Sequence, residues 1–305
     1  MRIKLFLPLL FPIFFLTSCF NPVKNKILKE QIDFGNDTPT DMSLLWRIDS
    51  KNLKNPSYLF GTMHLIQEKY WFFPESLKQR IEKAEKLVLE INGIPNLQES
   101  LALITLEEGS FFDFFNEEQL DSVYTFLKEQ LGLEKRLVDL SFSKMKPLAV
   151  IQMATVKQFG QDAKSYEVNM NNIAKENQIE TIGLETAQEQ MELFDNLSKS
   201  EQAEMVMQVI RTFDTYENEL NDMQRLYKNQ RIDSLYYMVK DEGKNLGPTE
   251  VQLLKNRNKN WIPKIKKIIK KNNAFIAVGA AHLCGKEGVI ELLKKENYTL
   301  TPIHL

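Results

Sequence analysis

Cysteine and histidine are scarce in this chain, with two and three among 305 residues. Two cysteines, Cys19 and Cys284, allow at most one disulfide, which excludes a disulfide-stapled scaffold. An excess of one charge is also missing: 39 Lys and Arg stand against 41 Asp and Glu, a net charge of −2. Without a basic footprint, no nucleic acid is expected as a partner. Beyond the first residues, no run approaches the ~20 apolar residues that cross a bilayer as a helix. No tandem period recurs, which excludes a solenoid. What remains, 43% hydrophobic and 26% charged residues, is ordinary for a globular chain.

The amino terminus departs from that average. Arg2 and Lys4 precede an uncharged run from Leu5 to Leu16, too short to span a membrane but suited to the core of a secretory signal. The run ends in Leu16-Thr17-Ser18-Cys19, which resembles the bacterial lipobox. The expected organisation is a lipoprotein signal peptide over 1–18, a lipidated Cys19 and flexible tether over 19–42, and a single domain over 43–305. Such a protein belongs in the bacterial cell envelope, outside the cytoplasm, facing the periplasm or the cell surface. The membrane is then a partner through the lipid, and Cys284 is a lone thiol that reads as a core residue.

Within the domain, Ser43–Asp49 and Ser57–Gly61 read as strands joined by Lys-Asn-Pro turn chemistry. A helix starts at Pro74-Glu75-Ser76, and Lys86–Ile91 reads as a strand. From Leu97 to Gln178 the apolar spacing is mostly helical, with Phe111, Phe112, Phe114 and Phe115 as a core knot. A strand at Glu180–Leu184 precedes helices over Thr186–Asn196, Lys199–Tyr227 and Ile232–Val239. Pro248–Asn256 and Asn258–Lys271 continue helically despite Pro263. Ala274–Val278 reads as a buried strand, Gly285–Lys295 as a helix and Tyr298–Ile303 as a closing strand. The sum is an α+β fold: a mixed β-sheet shared by the N- and C-terminal parts, flanked by helices, with a long helical middle region.

Two of the three histidines occupy the same place in a repeated pattern. Tyr58-Leu59-Phe60 runs into Gly61-Thr62-Met63-His64-Leu65, and Phe275-Ile276-Ala277-Val278 runs into Gly279-Ala280-Ala281-His282-Leu283. Glycine permits a turn that a β-carbon hinders, so each motif is expected to present an imidazole beyond a strand end, where α/β proteins place their sites. Glu90 closes the apolar run Lys86-Leu87-Val88-Leu89, and Glu185 follows Thr181-Ile182-Gly183-Leu184. A buried carboxylate needs a partner. A lysine or a helix cap is the plain answer, and a divalent metal is the other. Two imidazoles with one or two carboxylates suit Mn, Co, Zn or Fe and can leave a position for water.

These stretches, together with Gly183-Leu184-Glu185-Thr186, Arg257-Asn258 with Trp261, and Gly285 and Gly288, resemble the TraB/PrgY/GumN family from about Leu44 to Ile303. That family is related to the Tiki proteins, membrane-tethered metal-dependent proteases, and some bacterial members are linked to inhibition of peptide pheromones. The resemblance implies His64 and His282 as metal ligands, Glu90 as ligand or general base, and Glu185 as a second acidic member. Arg257 would orient a substrate or balance an oxyanion. Gly160-Gln161-Asp162 resembles a further family element, so Asp162 either braces a ligand or caps a helix; Asn258 secures its helix, and Gln190 falls where the family places a glutamine. The expected activity is a metal-dependent hydrolase of a peptide or other amide-containing substrate. The alternative is a module that sequesters a secreted peptide or signal without turnover.

Overall fold

The structure, a computed structural model, describes residues 42–242 and 251–305. The expected signal peptide, Cys19 and most of the tether lie outside the described residues. Six strands form one mixed sheet: β1 (Leu45–Asp49), β2 (Ser57–Thr62), β3 (Lys86–Ile91), β4 (Glu180–Glu185), β5 (Ala274–Gly279) and β6 (Thr299–Ile303). Their spatial order is β4-β3-β5-β2-β1-β6. The first four of that order run parallel, while β1 is antiparallel to both β2 and β6. Strands from the two ends of the chain therefore complete one sheet, as the sequence implies. All six residues of β5 are buried, as expected of a strand covered on both faces.

Twelve α-helices are present among the described residues. Helix α1 (Glu75–Glu82) buries Leu77 and Ile81, four apart on one face. The middle contributes α2 (Leu97–Ile104), α3 (Glu117–Leu131), α4 (Lys135–Phe142), α5 (Leu148–Phe159) and α6 (Tyr166–Glu176). After β4 come α7 (Ala187–Asp195), α8 (Lys199–Thr212), α9 (Glu217–Lys228) and α10 (Ile232–Glu242). A π-helical turn, Val251–Asn256, leads into α11 (Arg257–Ile269), and α12 is Val289–Lys295. Helix α11 runs through Pro263. Asn96, Asn116, Thr186 and Ser198 each close a reciprocal capping box, a contribution of about 1 kcal/mol per cap.

Three expectations change. The helix expected over Lys199–Tyr227 is two, parted by a 3-10 turn at Phe213–Thr215. The Thr212 hydroxyl donates to the Gln208 carbonyl and that of Thr215 to the Thr212 carbonyl, competing with the helical ladder. The helix expected from Gly285 starts only at Val289, because Gly285 adopts φ +88°. Gly61 does not turn the chain; it lies within β2. A β-carbon there would stand 2.8 Å from Leu283 Cδ1 and 3.0 Å from Ala280 Cα, so this glycine lets the second histidine motif approach the first.

Candidate functional site

The parallel register brings the chemistry together. Strand β5 lies between β3 and β2, with Leu87 and Tyr58 both opposite Phe275. Four parallel strands thus end along one edge of the sheet. There they deliver Glu185 from β4, Glu90 from β3, His282 just beyond β5 and His64 just beyond β2. This carboxyl edge is where open α/β sheets hold their ligands.

Asn258 fixes the chemical state of His282. The Asn258 amide nitrogen donates to the carbonyls of His282 and Glu287, at 3.3 and 2.8 Å. Its oxygen is therefore turned to His282 Nδ1, at 2.6 Å. An amide oxygen only accepts, so Nδ1 carries the proton. Burial first, and then the Arg257 charge, hold the His282 pKa well below its ordinary value, which keeps the ring neutral. Its Nε2 is then a lone pair, and Arg257 Nη1 donates to it at 3.2 Å. Trp261 stacks obliquely on the imidazole, 4.5 Å between centroids.

His64 is braced differently. Its Nδ1 lies 2.9 Å from Glu167 Oε1, and Thr62 and Ser165 donate to the two Glu167 oxygens at 2.6 and 3.0 Å. Burial by itself lowers the His64 pKa, but the Glu167 charge outweighs it and holds the value above the ordinary one. Glu167 is lowered in turn: burial pushes it up, and His64 pulls it further down.

Beside His282, two carboxylates share one guanidinium. Arg257 Nη2 donates to Glu90 Oε2 at 2.6 Å and to Glu185 Oε1 at 2.5 Å, and its Nε donates to Glu185 Oε1 at 3.0 Å. Glu90 Oε1 accepts from the Gly279 amide at 2.7 Å and stands 3.9 Å from His282 Nε2. Gln190 donates to both carboxylates, and Trp261 donates to Glu185. Burial opposes ionisation of Glu90, yet the Arg257 charge above all brings its pKa down to about 2. Such a cluster is costly to break, because removing one partner strands a buried charge.

The structure thus gathers His64, His282, Glu90, Glu185, Arg257 and Asn258. Asp162 stands apart, exposed in a turn, and the residue that caps α6 is Ser165. Glu167 carries no sequence motif, and Thr62, though inside the first Gly-x-x-His pattern, has a bracing role that the pattern does not announce. Whether the donors suit a metal has two answers. In kind they do: each Nδ1 meets an oxygen that braces the ring, as ligating histidines require, and two imidazoles with a carboxylate make a donor set that divalent ions accept. In arrangement, no three His, Cys, Asp or Glu side chains among the described residues form a ready cage. Arg257 holds Glu90 and His282, so it is the group that must give way.

Fold and site together define an α+β protein with a buried histidine, carboxylate and arginine centre at the carboxyl edge of its parallel strands. Residues 44–302 match the TraB/PrgY/gumN family, and the chain belongs to it. No curated protein and no solved structure matches the chain.

Proposed function

We propose that this centre is a metal-supported hydrolytic site acting on a peptide or other amide-containing substrate at the bacterial cell envelope. The supporting observation is the bracing of two imidazoles on Nδ1, by Asn258 and Glu167, past two adjacent parallel strands with Glu90 at the end of the next one. Nε2 of His64, Nε2 of His282 and Glu90 would hold a divalent Mn, Co, Zn or Fe ion. When bound, that ion supplies a Lewis acid and a water of lowered pKa. Glu185 keeps Arg257 charged and in place through the guanidinium Nε, and Arg257 can orient a substrate carbonyl and balance an oxyanion. Trp261 and Gln190 donate to Glu185 and fix it in place. Within the same proposal, Cys19 carries the lipid that tethers the domain to the membrane.

Full chain purified without chelator is assayed for bound Mn, Co, Zn and Fe and for cleavage of a quenched fluorescent peptide library. Glu90→Gln keeps the shape and removes the charge. The expected result is loss of the ion if Glu90 is a ligand, or retained ion with abolished cleavage if it is a base. A variant unchanged in both contradicts the proposal. Peptide binding by the wild type without cleavage is the signature of the rival sequestering module.

A further inference from the structure

Gln252, Asn256, Asn260 and Lys264 recur every four residues along the π-helical turn and α11, so they form one stripe. Opposite them stand Leu184 and Glu185 at the end of β4 and Glu189 on α7. A cavity of about 190 Å³ lies between. Asn256, Asn260, Glu189 and Lys264 are exposed along its rim, so the cavity is an open groove. It is smaller than the ~300–1,000 Å³ that encloses a whole small-molecule ligand. A single thread of chain fits it better than a compact cofactor.

We infer that this groove seats an extended polypeptide segment, recognised through its main chain by the carboxamides of Asn256 and Asn260. A carboxamide carries both donor and acceptor, as a peptide unit does. Four residues of α-helix advance about 6 Å, and two residues of extended chain advance about 6.6 Å. Successive carboxamides therefore meet every second residue of a strand laid alongside. Asn256 gives no cap bond to α11, which leaves its amide for a ligand. The opposing charges of Glu189 and Lys264 select no net charge, which suits recognition of backbone over side chains. Lys264 already donates to the Leu184 carbonyl on edge strand β4, so backbone faces the groove on its far wall.

The floor of the groove connects this site to the buried centre. Arg257, Glu185 and Trp261 line it, and Arg257 also touches Glu90 and His282. A chain in the groove rests on that guanidinium. Naming the chain a substrate rests on the proposed hydrolytic function; its binding does not.

The test is fluorescence anisotropy of the full chain with a pool of fluorescein-labelled nonapeptides, acetylated and amidated at their ends. Because both asparagines are exposed, Asn256→Ala/Asn260→Ala is expected to melt as the wild type does and to bind the pool about tenfold more weakly. A pool methylated on its backbone nitrogens should bind the wild type about tenfold more weakly, and the double variant should show no further loss. No binding to the wild type, equal binding by wild type and variant, or indifference to N-methylation overturns the inference. Peptide binding that needs Asn256 and Asn260 in a chain with no ion and no cleavage upholds the groove and removes the hydrolase.

Discussion

His64 and His282 sit in the same sequence pattern, past adjacent parallel strands, and differ in charge. His64 faces the carboxylate Glu167 and is held above its ordinary pKa; His282 faces the neutral amide of Asn258 and the cation Arg257 and is held well below. The repeated motif sets where an imidazole stands, and its neighbours set what proton it carries. The two contribute to stability in opposite senses. His64 stabilises the fold below about pH 6.5 and loses that contribution as pH rises through its elevated pKa. His282 contributes above about pH 6.5 and loses it as pH falls.

Removing Arg257 breaks the contrast most severely. Arg257→Met strands two buried carboxylates and takes the donor from His282 Nε2, so a loss of about 3–5 kcal/mol is expected in denaturant melts. If the guanidinium stands where an ion would, saturating Mn²⁺ or Zn²⁺ should recover more stability in this variant than in the wild type. Equal recovery would separate Arg257 from the proposed ion.

Exchanging the partners sharpens the contrast. Glu167→Gln should lower the His64 pKa, read by NMR titration of the ring, and Asn258→Asp should raise that of His282. The stability lost in Glu167→Gln should be larger at pH 6 than at pH 9, by about 1–2 kcal/mol, since the ion pair needs His64 protonated. A loss independent of pH would show that Glu167 acts on His64 without its charge.

The smallest effect concerns the contact between the motifs. Gly61→Ala places a methyl against Ala280 and Leu283, and overpacking of this kind costs about 1–3 kcal/mol. Wild-type melting would mean that the second motif yields easily and that glycine is not required there.

Much of this was legible in the sequence, because local patterns carried it. Alternation and apolar runs placed the strands, and the repeated Gly-x-x-His with Glu90 and Arg257 named most of the centre. Strand order was not legible: inserting β5 between β3 and β2 is a parallel pairing across about 190 residues, as the Glu90 to Gly279 contact spans, and no local signal encodes it. Glu167 was hidden because it lies in the first turn of a helix, where an acidic residue is explained by the helix dipole alone. Only the fold shows that it points to His64. Asp162 had a motif and no such neighbour.

The central claim is that His64 and His282, 218 positions apart, serve one bound ion. Calorimetric titration of chelator-stripped full chain with Zn²⁺ and Mn²⁺ tests it in the wild type, His64→Ala, His282→Ala and the double variant. If one ion is shared, each single variant loses most of the affinity and the double variant loses little more, because ligands of one ion act as a unit. Wild-type affinity in both single variants, or losses that simply add, would contradict it.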